Sequence, residues 1–271
     1  MAIREVEARS ILQKSNIPGT SYVINPYTGC VHGCVYCYAR FMKRFTGHSE
    51  AWGAFLDAKV NAPELLRRQL ERRRTPLRET VLLSSVTDPY QPPESRCRLT
   101  RRILQVLLEH QVPVSILTKS DLVRRDIDLF RQFEWCTIGL SLMTVDEELA
   151  ARFEPRAASP SRRLQALQDL HDNGIDTYAF FSPFLPYLSD IDALMAAVVG
   201  RVREVGVEAL NPRGANWTGV EQAIQRFCPD LLPGYRDTVS DHGYWEVLEE
   251  RTRVSVEQHG FDFMGFFRHG F

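Results

Sequence analysis

Six short apolar runs rich in β-branched and aromatic residues punctuate the chain: SYVIN from Ser21, TVLLSS from Thr80, VSILTKS from Val114, CTIGLSL from Cys136, TYAFFSP from Thr177 and VEALNP from Val207. Their length and composition predict β-strands. Between them lie longer stretches with apolar residues three or four apart: NAPELLRRQLERRR, LTRRILQVLLEHQ, SDLVRRDIDLFRQF, SPSRRLQALQDLHDNG and SDIDALMAAVVGRVREVG. These predict amphipathic helices, with Asn61, Thr100, Ser120, Ser161 and Ser189 as N-cap candidates and Gly174 and Gly206 as terminators. Strands alternating with helices imply right-handed βα units on a parallel sheet. No GxGxxG follows the first strand, so a Rossmann dinucleotide site has no support. Six units fit an α/β fold of the partial, open (β/α)6 TIM-like barrel type, with function at the C-terminal ends of the strands.

The pattern changes after about residue 213. Two further helical stretches, VEQAIQRF and YWEVLEERTRVSVEQHG, lead to an aromatic tail, FDFMGFFRHGF. The expected division is a 1–20 N-terminal extension, a 21–213 barrel and a 214–271 helical appendage packed on it, with the tail's phenylalanines as core filling.

The chain has 271 residues, 44% hydrophobic and 25% charged, with a net charge of −1. These values describe a globular protein able to bury a sizeable core. No run reaches the roughly 20 apolar residues of a membrane span, and the charged N-terminus is unlike a signal peptide, so no membrane and a cytoplasmic location are expected. Near-neutral charge supplies no global field toward nucleic acid. The arginine clusters in LRRQLERRR and SRCRLTRR therefore read first as solvated helix faces and second as phosphate-binding surfaces.

Six cysteines are too few for a disulfide scaffold, yet three of them, Cys30, Cys34 and Cys37, crowd into GCVHGCVYCYAR beside Gly29 and Gly33. A zinc site needs four ligands, and the sequence holds no second close pair of cysteines, although His32 makes a fourth by count. A four-iron, four-sulfur cluster is normally held by four thiolates. Three would leave one iron open to a substrate or cosubstrate, while flanking glycines let the backbone approach closely.

CVHGCVYC resembles the CxxxCxxC signature of the radical SAM superfamily, and its place after the first strand of a six-unit barrel resembles that superfamily's fold. The resemblance implies a [4Fe-4S] cluster on Cys30, Cys34 and Cys37, S-adenosyl-L-methionine (SAM) on the open iron, and a flavodoxin- or ferredoxin-type reductant. Within the superfamily, YCYA is similar to the cluster loop of the photolyase-like group around spore photoproduct lyase. That similarity implies that Tyr36 and Tyr38 relay a hydrogen atom, or else wall the cluster. SSVTDPYQPPE resembles the segment that meets the SAM amino group and implicates Ser84, Ser85, Thr87 and Asp88. TKS implicates Lys119 for the SAM carboxylate, and GLSL implicates Ser141.

One departure matters. Alignment on Asp88 puts Ser85 where the lyase has its hydrogen-donating cysteine, and an alcohol O–H is far stronger than a thiol S–H. Repair of spore photoproduct itself is not expected. Cys97, in the loop after the second strand, is the candidate substitute donor, while Cys136 belongs at the inert end of the barrel and Cys228 in the appendage. In EPRAASPSRRL, Arg156, Arg162 and Arg163 stand near a helix start, where cations oppose the helix dipole. Arg163 is a candidate for holding an anionic part of the cofactor, with solvated charge the plainer reading of the group. The expected activity is reductive SAM cleavage and hydrogen abstraction from a nucleic acid lesion or base, a lyase-like reaction in DNA repair. A peptide or small-metabolite substrate, or a non-catalytic electron carrier, is the alternative.

Overall fold

The computed structural model describes residues 3–17, 19–212 and 214–268. The six predicted strands all form: β3 (Tyr22–Ile24), β6 (Val81–Leu83), β7 (Val114–Thr118), β8 (Cys136–Ser141), β9 (Asp176–Phe184) and β10 (Glu204–Ala209). They pair in parallel in chain order. Sequential parallel neighbours wind in one direction, as in a barrel, and not both ways as in a Rossmann sheet. The helices between them are α1 (Ala62–Glu71), the short α2 (Glu94–Cys97), α3 (Leu99–Glu109), α4 (Ile127–Phe130), α5 (Glu147–Phe153), α6 (Pro160–Asp172) and α7 (Ile191–Val198). Three more, α8 (Gly214–Phe227), α9 (Leu232–Ser240) and α10 (His242–His259), follow the last barrel strand.

The edges depart from expectation. The aromatic tail forms a strand, β11 (Asp262–Phe267), parallel to β10 at the open edge of the sheet. Residues 269–271 of that tail lie outside the described residues. Its aromatic residues divide between core and solvent: a register shift at Met264 sets Phe263 and Phe266 opposite Val205 and Val207 and against the core, while Phe267 is exposed. The C-terminal region is thus more than a helical appendage. At the other edge β2 (Leu12–Lys14) pairs antiparallel with β3, and β1 (Ile3–Val6) joins β5 (Leu56–Lys59) and β4 (Tyr27–Thr28) in a small second sheet.

Helix starts also moved. Ser120 accepts from the Leu122 amide as predicted, but it opens a 3-10 turn at Asp121–Asp126 that leads into α4. Asp190 caps α7 in place of Ser189, and Ser159 precedes α6 with Pro160 in its first turn. Asn61 stands at the N-cap of α1 as expected but turns its amide to the backbone of Ala8, and Gly206 lies inside β10. Thr100 lies inside α3, whose first amides are served by a buried carboxylate: Glu94 Oε2 accepts from Leu99 and Thr100 at 2.9 and 3.0 Å. The same side chain takes a hydrogen bond from the Tyr27 phenol and an ion pair from Arg125 at 2.7 Å.

The main core fills the space between sheet and helices, with Val81, Val114, Ile116, Ile138, Leu140 and Val207 fully buried. A second cluster sits at the loop after β3, where Cys34, Tyr36 and Phe153 meet Trp217, Val220 and Ile224 of α8 and Tyr235 of α9. Among the described residues no helix is long and apolar enough to cross a membrane.

Removing the Glu94 carboxylate leaves Arg125 and the α3 amides without their buried acceptor. Glu94→Ala is expected to lower the unfolding free energy by about 3–5 kcal/mol, whereas Tyr27→Phe, which removes one neutral donor, costs about 1 kcal/mol. Urea unfolding of both variants measures the difference.

Candidate active site

The cysteine loop leaves β3 at the C-terminal end of the sheet and is anchored to the end of β6. Asn25 Oδ1 accepts from the amides of Ser85 and Val86 at 2.9 and 3.0 Å, and its Nδ2 donates to Ser85 Oγ at 3.2 Å. Thr87 donates to the Gly29 carbonyl at 2.6 Å, and the Val31 amide donates to Gln91 at 2.8 Å. Gly33 (φ +65°) lies flat on Gly53, where an added Cβ would come within 2.8 Å of the Gly33 Cα. Across both runs Arg156, whose guanidinium donates to the carbonyls of Val31 and Gly53.

Three thiols gather there. Burial pushes the Cys30 thiol well up, with Asp88, Cys37 and Cys34 adding to it. Cys34 is pushed up to about 12 by burial and by Glu154, against the pull of Lys119. Cys37 is also raised by burial, offset by the Ala39 amide and by Lys119 and Arg40. The buried Trp52 indole N–H faces the Cys37 thiol. Among the described residues no three His, Cys, Asp or Glu side chains converge on a single metal ion, whereas three soft donors spread along one glycine-lined loop suit a many-atom iron and sulfur cluster. His32 does not complete a tetrahedron with them: its Nδ1 donates to the Arg156 carbonyl at 3.0 Å and its Nε2 points to Asp88 at 3.4 Å.

Asp88 gathers the neighbouring strand ends. Its carboxylate accepts from the Tyr90 amide at 2.8 Å, from Thr118 at 2.7 Å and from the Lys119 amide at 2.8 Å. Burial pushes this carboxyl up, but the neighbouring His32 and the hydrogen bonds from Lys119 and Thr118 outweigh it and hold it at about 2. With both oxygens engaged, Asp88 shapes the site rather than presenting a free carboxylate. Thr87 is similarly engaged on Gly29, whereas the buried Ser84 hydroxyl has no hydrogen-bond partner among the described residues.

Lys119 enters from the end of β7. Its ammonium donates to Ser141 Oγ at 2.7 Å and to the Ser182 carbonyl at 3.4 Å, lies 3.9 Å from Glu154 and stands over the Tyr36 ring. Ser141 donates to Ser182 O at 2.9 Å. An ammonium has three donors, so one remains for an incoming anion.

Glu154 is the residue that sequence reasoning missed. Fully buried, it accepts from the Tyr36 phenol and pairs with Arg163. Arg163 also donates to the carbonyls of Ala158 at 2.7 Å and Ser141 at 2.6 Å, so its charge serves the protein interior and is not presented to a cofactor. Arg162 pairs with Asp121. The two tyrosines separate: Tyr36 is buried with its phenol on Glu154, while Tyr38 is 46% exposed and donates to the Ser85 carbonyl. Cys97 is not brought to the loop. Its interacting neighbours are Glu94, Tyr27 and Glu5, because α2 turns it toward the small sheet. Cys136 begins β8 at the opposite end of the strands, as expected.

Because the Asp88 carboxyl titrates at about 2 in the fold and near 4 when unfolded, its stabilisation is complete above about pH 4 and is lost as pH falls through 2. Asp88→Asn is expected to cost about 2 kcal/mol at pH 7 and to flatten the acid limb of stability between pH 4 and 2. Denaturant melts across that range measure both.

The chain is 38% identical over 193 residues to an uncharacterised protein of Methanocaldococcus jannaschii, covering 71% of each. Among solved structures it superposes on spore photoproduct lyase complexed with dinucleoside spore photoproduct, with a TM-score of 0.72 at 16% identity over 97% of this chain and 82% of that one. It also superposes on Streptococcus suis SuiB bound to precursor peptide SuiA, with a TM-score of 0.59 at 16% identity over 92% of this chain and 48% of that one. The sequence model of the Radical SAM superfamily matches residues 24–198, from the end of β3 through the cysteine loop to the end of α7, and the chain belongs to that superfamily.

Proposed function

We propose that the protein holds a [4Fe-4S] cluster on Cys30, Cys34 and Cys37 and uses it to cleave SAM reductively, abstracting hydrogen from a DNA base or base lesion. The observation that carries this reading is the gathering of three thiols, Cys30 and Cys34 buried and Cys37 half-buried, with the Lys119 ammonium at the adjacent strand end acting on Cys34 and Cys37. When bound, the cluster supplies one electron to SAM and so releases the 5'-deoxyadenosyl radical.

The chain's own residues do the rest. The third donor of Lys119 binds the SAM carboxylate, with Ser141 and the Ser182 carbonyl fixing the ammonium so that little rotamer freedom is lost on binding. Ser84, a buried hydroxyl without a hydrogen-bond partner among the described residues, meets the amino end, and Ser85, Thr87 and Asp88 hold the β6 end that carries it. The aromatic and aliphatic side chains of α8 and α9 wall the same loop and exclude water. A flavodoxin- or ferredoxin-type protein supplies the electron.

A nucleic acid substrate is favoured over a peptide by extent of likeness. This chain spans 82% of the lyase that holds a dinucleoside and 48% of the protein that holds a peptide, so about half of the latter lies outside the shared fold. Ser85 accepts at its hydroxyl from Asn25 and at its carbonyl from Tyr38, and a serine there cannot readily return a hydrogen atom to a carbon radical. The reaction is therefore a lyase-like or rearranging one on a base other than spore photoproduct.

Replacing all three cysteines of the loop by alanine is expected to abolish both iron retention and 5'-deoxyadenosine formation after anaerobic reconstitution. Lys119→Ala is expected to keep the iron but weaken SAM binding by about 10–100-fold, the loss of one charge-assisted contact. Retention of iron and SAM cleavage by the triple variant would end this assignment. Deuterium from labelled DNA appearing in 5'-deoxyadenosine identifies the substrate class, and its absence with DNA but presence with a peptide reverses that choice.

A further inference from the structure

The turn that follows the last loop cysteine, Tyr38–Phe45, has the sequence YARFMKRF and forms a 3-10 helix. Its outer face is aromatic and uncovered: Phe41 is 42% and Phe45 68% exposed. The Arg44 guanidinium lies 5.5 Å from the centre of the Phe41 ring and 4.8 Å from that of Phe45, so two rings and a cation form one stacked surface. Lys43 adds a second positive charge, steadied on the Ser49 carbonyl at 2.9 Å. The turn contains no acidic residue, and the next acid along the chain, Glu50, is turned to His48 at 3.1 Å.

The inner face is fixed. Arg40 donates to the Cys34 carbonyl at 3.1 Å, and α8 packs so closely beneath that a Cβ on Gly219 would lie 2.1 Å from the Val35 carbonyl oxygen and 3.3 Å from Arg40. The strip is therefore held from below and open above. Exposed rings that serve no packing role mark an interaction surface. Flat rings bracketing a guanidinium, without carboxylates, match the alternation of base and phosphate along an unpaired strand. An acidic protein surface would answer the charges of Lys43 and Arg44 but not the stacked arrangement. The strip starts at Tyr38, whose phenol reaches Ser85 at the C-terminal end of β6, so a strand lying on it runs to the mouth of the site.

We propose that Phe41, Arg44 and Phe45 form a binding strip for unpaired DNA that leads the strand to the mouth of the barrel. The strip deepens the DNA reading above and rests on it.

The test is fluorescence anisotropy of a mixed-sequence single-stranded DNA with the reconstituted holoprotein and SAM under anaerobic conditions. Phe41→Ala and Phe45→Ala are each expected to raise Kd about tenfold, the loss of one stacked base. Arg44→Glu is expected to weaken binding and lower the slope of log Kd against log salt by about one. Iron content and DNA-free SAM cleavage should match wild type in all three, which shows that the fold and the radical chemistry are intact. Wild-type binding that the variants leave unchanged overturns the strip alone. Absence of wild-type binding overturns the strip and the DNA reading together. Variants that bind DNA normally but lose reduction by flavodoxin assign the surface to the reductant and overturn the proposal.

Discussion

The site depends on one buried carboxylate. Asp88 accepts from the backbone of its own turn, from the Thr118 hydroxyl and from the Lys119 amide, and it faces His32 of the cysteine loop. Three chain segments, the loop after β3 and the ends of β6 and β7, are thereby held in one arrangement. A buried carboxylate is costly unless its lone pairs are filled, and here both oxygens are filled by groups that the site must position anyway.

Around this anchor the charges are arranged in opposite senses. Glu154 and Arg163 neutralise one another in the interior and fix Tyr36, so that buried pair organises the wall behind the thiols. Lys119 keeps a donor in reserve, with two neutral oxygens holding it and Glu154 at 3.9 Å. Burial raises the thiols and makes them resist ionisation, so a metal centre bound there would supply compensating charge and its binding would release protons. The C-terminal helices take part through Gly219, since a side chain there would collide with the Val35 carbonyl and lift α8 from the loop.

Much of this was legible in the sequence. All six barrel strands form where β-branched runs predicted them, because those runs pack against the surrounding helices in the main core and their composition reflects it. The cysteine motif, Lys119, Ser141 and the SSVTD segment converge because βα units deliver strand ends to one face. What escaped were the interactions that cross long sequence distances. Glu154 follows α5 and reads as an ordinary charged helix end, and only the fold brings Tyr36 and Arg163 to it. Glu94, within PPE, reads as a loop acid, and its service to Tyr27 and α3 appears only in three dimensions. The tail misled for a different reason: FDFMGFF has too few residues to separate a half-buried edge strand from core filling by pattern alone.

The central claim is that the cluster held by Cys30, Cys34 and Cys37 keeps one iron free of protein ligands for SAM. Pulsed electron paramagnetic resonance of the reduced, reconstituted protein with SAM labelled at its amino nitrogen measures this directly. The account predicts a hyperfine coupling from that nitrogen to the cluster. An unaltered spectrum on adding SAM, or a preparation holding a single zinc ion in place of iron and sulfide, would contradict it.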